Sequence, residues 1–381
     1  MEPKLRFPEF NSNWTHDNLE NVAEIFDGTH QTPLYTKTGV QFVSVENIED
    51  IYKSEKYISH EEYDKYKNKP QINDILMTRI TAGVIGETAM VTKDVPLAYY
   101  VSLALIRCEK LFPSYVEKYI HSIQFRKELY KRIIHTAFPK KINLGDIGKC
   151  LVGITNEQEQ QKIAEFLSTI DIVIAKQKET VSAWEERKKG VMQKLFSQEV
   201  RFKADDGSEF PEWEEKNVED VCSVSTGKGN TQDKVDTGAY RFYVRSPIIE
   251  HSDSYLFDEE AVITVGDGVG TGKVFHYVKG KYNLHQRCYR MYDFRDVTGK
   301  YFYYFFSTNF YRRVKSMSAK TSVDSVRMEM ITKMKILVPC LAEQQKIADC
   351  LVSFDEVIEK QRATLTAWEE LKKGLLQQMF V

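Results

Sequence analysis

One block of this chain occurs twice without a gap. Glu159-Gln160-Gln161-Lys162-Ile163-Ala164 returns as Glu343-Gln344-Gln345-Lys346-Ile347-Ala348, and Ala183-Trp184-Glu185-Glu186 with Lys188-Lys189-Gly190 returns as Ala367-Trp368-Glu369-Glu370 with Lys372-Lys373-Gly374. Both motifs are displaced by 184 residues, from 159 to 343 and from 183 to 367, so nothing is inserted or deleted between them. A segment that keeps its internal spacing this strictly behaves as one rigid element.

Periodicity identifies the element. Ile163, Leu167, Ile170, Ile174, Gln177, Val181, Trp184, Lys188, Val191 and Leu195 are spaced alternately by four and three residues, the rhythm of a coiled-coil seam. The second copy places Ile347, Leu351, Phe354, Ile358, Gln361, Leu365, Trp368, Lys372, Leu375 and Met379 at the same points. Each copy predicts a helix of about 38 residues, a rod of roughly 55 to 60 Å at about 1.5 Å per residue. Two rods with one apolar stripe each bury most simply against each other. The polar seam positions, Gln177 with Lys188 and Gln361 with Lys372, lower stability but fix register. Thr155, three residues before Gln158, is a candidate capping box for the first rod.

The segments upstream of the rods repeat more loosely. Phe7-Pro8-Glu9-Phe10 recurs as Phe210-Pro211-Glu212-Trp213, Leu19-Glu20-Asn21-Val22 as Val218-Glu219-Asp220-Val221, and Gly28 as Gly227. A glycine-broken stretch, Thr81 to Gly86, stands against Gly266 to Gly272, and Tyr119-Ile120-His121-Ser122 with Phe125-Arg126 against Phe305-Phe306-Ser307 with Phe310-Tyr311-Arg312. The chain reads as globular half 1–155, helix 156–200, globular half 201–341 and helix 342–381. At 381 residues each half is long enough to bury its own core. Alternating Gly39 to Val45 and Tyr240 to Val244 predict half-buried strands, and helices are expected from Ser114 to Ile134 and from Gly299 to Ser316. The fold class is therefore mixed α/β (α+β), each half holding an irregular, antiparallel-leaning sheet, with the long helices as an antiparallel pair.

The residues exclude much chemistry. Gly266 to Gly272 followed by Lys273 lacks phosphate-loop spacing, because Asp267 stands where glycine is required and Val274 replaces the hydroxyl. No HExxH, GxSxG or EF-hand loop is present, and the acidic pair Glu214-Glu215 reads as a solvated charge run. Eight histidines are scattered singly, and none is assigned a catalytic role. Six cysteines form no CxxC pair or metal-ligand spacing, which suits a reduced cytoplasmic protein with free thiols. No stretch approaches the roughly 18 apolar residues of a membrane span. The expectation is no bound metal, no cofactor and no membrane.

Positive charge gathers at one matching place in two halves of a chain whose formal net charge is only −2. The first cluster holds Lys118, Arg126, Lys127, Lys131, Arg132, Lys140 and Lys141, and the second Arg312, Arg313, Lys315, Lys320, Arg327, Lys333 and Lys335, with Phe125, Tyr130, Phe138, Phe310 and Tyr311 among them. A solvated helix face over core aromatics explains either cluster alone; repetition favours a phosphate-facing edge. Arg126, Lys131, Arg312 and Arg313 are the first candidates for phosphate contacts. Base contacts are expected on loops after strand ends, Thr29 to Lys37, Arg79 to Gly86 with Arg79 and Thr81, Lys228 to Lys234, and Arg245 to His251 with Arg245. For any single loop residue an ordinary exposed turn is the alternative.

The order FPEF or FPEW, variable half, gapless EQQKIA…AWEE…KKG helix, and the same again resembles the specificity subunit of a type I restriction-modification system, over essentially the whole chain. A generic coiled coil would not duplicate non-seam residues such as Lys162, Glu185 and Gly190. The extra glycine between Gly266 and Gly272 affects only the alignment of that turn. The resemblance implies two target recognition domains, each reading one part of a split, asymmetric double-stranded DNA sequence, spaced by the helices. It also implies two methyltransferase subunits and further restriction (translocase) subunits as partners, with S-adenosylmethionine, ATP and Mg²⁺ on those partners. Two nearly equivalent halves would give one chain an approximate two-fold axis matching that of duplex DNA. Two alternatives stay open: a scaffold that organises partners without reading DNA, and a self-sufficient nuclease or methyltransferase, which would need a site not evident in the residues.

Overall fold

The computed structural model describes residues 2–268, 270–317 and 325–381. Its elements run β1 (Thr15–Asn18), β2 (Ala23–Asp27), β3 (Val40–Val43), β4 (Tyr57–Ile58), α1 (His60–Asp64), β5 (Ile75–Thr78), β6 (Ile80–Thr81), β7 (Thr88–Met90), β8 (Leu97–Tyr99), β9 (Leu103–Cys108), α2 (Pro113–Ile120), α3 (Ile123–Arg132), β10 (Lys140–Lys141), α4 (Leu144–Gly148), β11 (Leu151–Ile154) and α5 (Glu157–Phe196). There follow β12 (Glu214–Asn217), α6 (Val218–Val221), β13 (Ser223–Thr226), β14 (Tyr240–Tyr243), β15 (Ile249–Ser252), β16 (Phe257–Val265), β17 (Phe275–Leu284), β18 (Cys288–Tyr292), α7 (Gly299–Met317), α8 (Met328–Thr332), β19 (Lys335–Val338) and α9 (Leu341–Gln378). Two compact units result. Unit 1 is the chain up to Lys178 with Ala363–Val381, and unit 2 is Glu179–Arg362. Each unit thus takes one half of α5 and one half of α9.

The sheets of the two units share one strand order. Unit 2 has a six-stranded sheet, β13-β18-β16-β17-β14-β15, whereas unit 1 has a four-stranded sheet, β2-β9-β5-β7, and a three-stranded one, β4-β3-β8. β17 pairs antiparallel with β16 along its first part and parallel with β14 at its end. In unit 1 those two tasks fall to separate strands, β7 against β5 and β8 against β3. The intervening Thr92–Pro96 stretch interrupts the ladder, and Pro96 has no N–H to donate to it. The expected strands therefore form, β3 and β14 among them, and among the described residues the other pairs of these strands are antiparallel.

The expected second helix is α7, unbroken over 19 residues. The first is corrected to two helices. Ser122 is extended (φ −65°, ψ 155°) and its hydroxyl accepts from the Phe125 amide, so the chain restarts there as α3. The cap of α5 also differs from expectation. The Asn156 side chain accepts from the Glu159 amide at 2.9 Å, while Thr155 donates its hydroxyl to the Glu159 carboxylate.

That carboxylate explains why the EQQK motif recurs. Arg6 grips Glu159 through two hydrogen bonds, 2.7 and 2.8 Å, and Arg201 grips Glu343 at 3.1 and 2.8 Å. Both glutamates are fully shielded from solvent. Gln160 accepts from the Phe112 amide as Gln344 accepts from the Thr298 amide, and Lys162 pairs with Glu9 as Lys346 pairs with Asp205. The Leu5 amide caps the Gln378 carbonyl, and the Val200 amide caps that of Lys194, again 184 residues apart. The segment before Phe7 therefore meets the end of α9 as the segment after α5 meets the end of α5. At those ends Phe380 packs on Tyr115 and Tyr119, and Phe196 on Tyr301 and Phe305.

The seam residues divide between the two cores. Ile163, Leu167, Ile170 and Ile174 are buried in the unit 1 core with Leu375, Leu376 and Met379, and Leu365 and Trp368 pack against it. Ile347 and Leu351 are buried in the unit 2 core with Leu195 and Phe196; Trp184 meets Phe354 edge-on at 6.0 Å, and Val181 and Ile358 are buried. Within unit 1, Lys372 pairs with Asp171 and Lys178 with Glu369; within unit 2, Lys188 pairs with Asp355 and Arg362 with Glu185. In each unit the partner number falls as the first number rises, so the paired segments run in opposite directions. The two polar seam lysines are thus satisfied by aspartates. Asp171 takes Lys118 as its second partner, and Asp355 takes the Tyr304 hydroxyl, both at 2.6 Å. Among the described residues no helix is long and apolar enough to cross a membrane, and the six cysteines are unbridged.

Candidate nucleic-acid interface

The candidate surface is built where β5 and β16 leave their sheets. In unit 1 the Arg79 amide bonds to Ser102 and the Ile142 amide to Arg79, carrying the chain into the β6–β10 pair, Ile80–Thr81 against Lys140–Lys141. In unit 2 the Gly266 amide bonds to Arg287 and the Val326 amide to Gly266, and Asp267 bridges to Ser325. The same construction thus stands in both units. The duplicated glycines directly follow β2 and β13: a Cβ on Gly28 would sit 2.6 Å from the Tyr100 carbonyl, and one on Gly227 2.2 Å from the Leu284 oxygen. Only glycine lets these chains approach so closely.

The sequence candidates separate into two groups. Arg79 is committed to Asp27 at 2.6 Å with its side chain 10% exposed, and Thr81 is buried, accepting from the Gly83 amide. Arg126 bonds to the Ile85 carbonyl, Glu87 and His121, and Arg313 to the Met330 carbonyl. Lys131 and Arg132 both pair with Glu128, whose carboxyl is held below the usual range by the Lys131 hydrogen bond first and by Arg132. Lys127, Lys140 and Lys141 are exposed, as are Arg312 and Lys315, while Arg327 lies exposed beside Glu329. Lys320 lies outside the described residues. Beside Lys140 and Lys141, Phe138 is 89% exposed and Tyr130 packs on His135 with centroids 4.5 Å apart and the rings inclined at 52°.

Unit 2 holds an arrangement that the residues alone revealed only in part. Arg245 and Arg287 both donate to Asp267, at 3.3 and 2.9 Å. Arg287 lines an open cleft of about 600 Å³ with Asp267, Gln286, Tyr289 and Thr226. Gln286 donates to Asn230 at 2.8 Å. His285 beside them has its pKa lowered by burial and then by the charge of Arg245. Arg287 was missed because it sits in a three-residue turn between β17 and β18; the polar run His285-Gln286-Arg287 between two strand-like stretches was its only signal.

Comparison with known proteins settles the family. Residues 11–182 and 211–367 match the type I restriction modification DNA specificity domain. The chain belongs to that family. A protein named as the MjaX specificity subunit of a type I restriction enzyme, from Methanocaldococcus jannaschii, is 23% identical over 98% of this chain and 94% of its own length. Among solved structures, the type I restriction-modification S subunit of M. genitalium is 14% identical, with a TM-score of 0.64 over 100% of this chain and 99% of that one. A chain from a structural study of type I complex assembly and conformational transition is 13% identical, with a TM-score of 0.55 over 96% of this chain and 98% of that one.

The described residues present polar and charged surfaces in both units. No group of three or more His, Cys, Asp or Glu side chains is placed to hold a metal among them. What they offer instead is duplicated anchoring of the long helices, exposed lysines and arginines beside the β6–β10 pair and on α7, and a polar cleft in unit 2.

Proposed function

We propose that this chain reads a bipartite, asymmetric double-stranded DNA target, residues 1–155 reading one part and 201–341 the other. The helical segments 156–200 and 342–381 pack as an antiparallel coiled coil that sets the unread gap. Two methyltransferase subunits, and restriction (translocase) subunits in the full complex, join it in the cytoplasm. S-adenosylmethionine, ATP and Mg²⁺ belong to those partners, and this chain performs no chemistry itself.

The observation that carries this reading is the repeated anchor, Arg6 on Glu159 and Arg201 on Glu343, beneath surfaces that differ in side chain. Identical seats for the helices fit a fixed spacing, and unlike surfaces fit unlike target parts. The outward cations Lys127, Lys140, Lys141, Arg312 and Lys315 are assigned to phosphates. Replacing one by alanine should weaken binding to all sequences alike and lower the salt slope by about one unit. The deciding experiment expresses the chain with a cognate methyltransferase subunit and maps the methylated genomic sites. A split motif supports the reading, whereas methylation without sequence preference identifies a partner-organising scaffold.

A further inference from the structure

We infer that Arg245 and Arg287, held by Asp267, form a guanine-reading site, so that the part of the target read by unit 2 contains a guanine with no counterpart at the equivalent place in unit 1. This rests on the reading of the chain as a DNA specificity subunit. The two guanidiniums share one carboxylate, and their side chains remain 47% and 63% exposed while Asp267 is 20% exposed. A guanidinium carries five N–H donors, and Asp267 receives one from each arginine. Among the described residues Asp267 is the side-chain partner of both arginines, and their other donors can face a ligand whose two acceptors lie side by side, as O6 and N7 do on the major-groove edge of guanine.

The carboxylate decides between guanine and phosphate. A phosphate contact is strengthened by bare positive charge, and a fixed carboxylate 2.9 Å from the arginine would repel it. A neutral base edge suffers no such repulsion and benefits from pre-oriented donors, because less side-chain freedom is lost on binding. The cleft supplies neutral polar neighbours, Thr226 and Gln286, on the same wall. In unit 1 the Arg79 amide bonds to the Ser102 carbonyl as the Gly266 amide bonds to that of Arg287, so a buried serine, Ser102, stands where unit 2 has Arg287. That side chain is closed to a base edge.

The test uses the assembled complex with its methyltransferase partners. The wild-type methylation map is compared with maps for Arg287→Gln and Arg245→Gln. Expected is a guanine in one part of the motif whose preference falls at least about tenfold, the range of one good bidentate base contact, with the other part unchanged. Preferences unchanged in both parts, or loss at a base other than guanine, overturn the inference. Should a variant complex not methylate, wild-type binding to duplexes carrying 7-deazaguanine at each guanine in turn decides. Weakening of about tenfold at one guanine, in one part only, supports the site, and uniform binding overturns it. A wild-type map without any split motif instead refutes the underlying functional reading.

Discussion

The two ends of the long helices and the two sheets they carry have been held to different standards. At the helix ends nearly every atom-level task is done twice: a shielded glutamate gripped by an arginine, a glutamine accepting from a backbone amide, a phenylalanine wedged against aromatics at 196 and 380. In the sheets the strand order repeats but the strands do not, since β17 does in one piece what β7 and β8 do in two. The helix ends repeat their chemistry, and the sheets keep only their topology.

The strongest way to break that comparison is at the aromatic wedges. Phe380→Ala and Phe196→Ala should each cost about 3–5 kcal/mol in denaturant unfolding, both being nearly inaccessible large side chains. Values differing by more than about 2 kcal/mol would show that the two ends are not equivalent.

Next come the gripped carboxylates. Glu159→Ala and Glu343→Ala leave Arg6 and Arg201 without their buried carboxylate partners, at a cost of about 3 kcal/mol each. Calorimetric melting that shifts for one variant and not the other would contradict the shared role.

Acid should separate the units where they differ. Burial pushes the Glu117 carboxyl up, but the His121 hydrogen bond and the charges of Lys118 and His121 outweigh it and hold the pKa at about 2. A depressed carboxylate stabilises the fold above its ordinary pKa, and that contribution is lost as pH falls from about 4.5 to about 2. The pair Glu117-Lys118 stands where unit 2 has Tyr303-Tyr304, as the shared bonds of Lys118 to Asp171 and Tyr304 to Asp355 indicate. Hydrogen exchange over this range should therefore rise in unit 1 first, by roughly 2–3 kcal/mol of lost protection, and Glu117→Gln should remove the step. Simultaneous loosening of both units would reject this difference.

The smallest effect has the opposite sign. Gly190 and Gly374 sit within helices with nothing inside 4 Å of where a Cβ would lie. Alanine at either should stabilise the isolated chain by about 0.5–1 kcal/mol, equally at both positions, as read from denaturant midpoints. Destabilisation would mean that the helix surface there is packed within the chain itself.

Much of this was legible in the residues because helices announce themselves locally. The seam from Ile163 to Leu195 needs only a period, and α5 and α9 run as that period predicts. The partners of Lys188 and Lys372 were not legible, since Asp355 and Asp171 lie far away in the chain. The break at Ser122 was hidden because a serine reads as a helix cap only once its backbone is known to be extended. The candidate surface was harder still. Charge alone put Arg126 beside Lys127, yet the fold turns one inward to Ile85 and Glu87 and leaves the other exposed. Arg287 joined Arg245 only through Asp267, a meeting of three separate strand ends.

The measurement that reaches the central claim removes one heptad from each long helix, residues 176–182 and 360–366, and maps the DNA sites methylated by the assembled complex. The account predicts a shorter unread gap between the same two base sequences. Altered bases around an unchanged gap would contradict it.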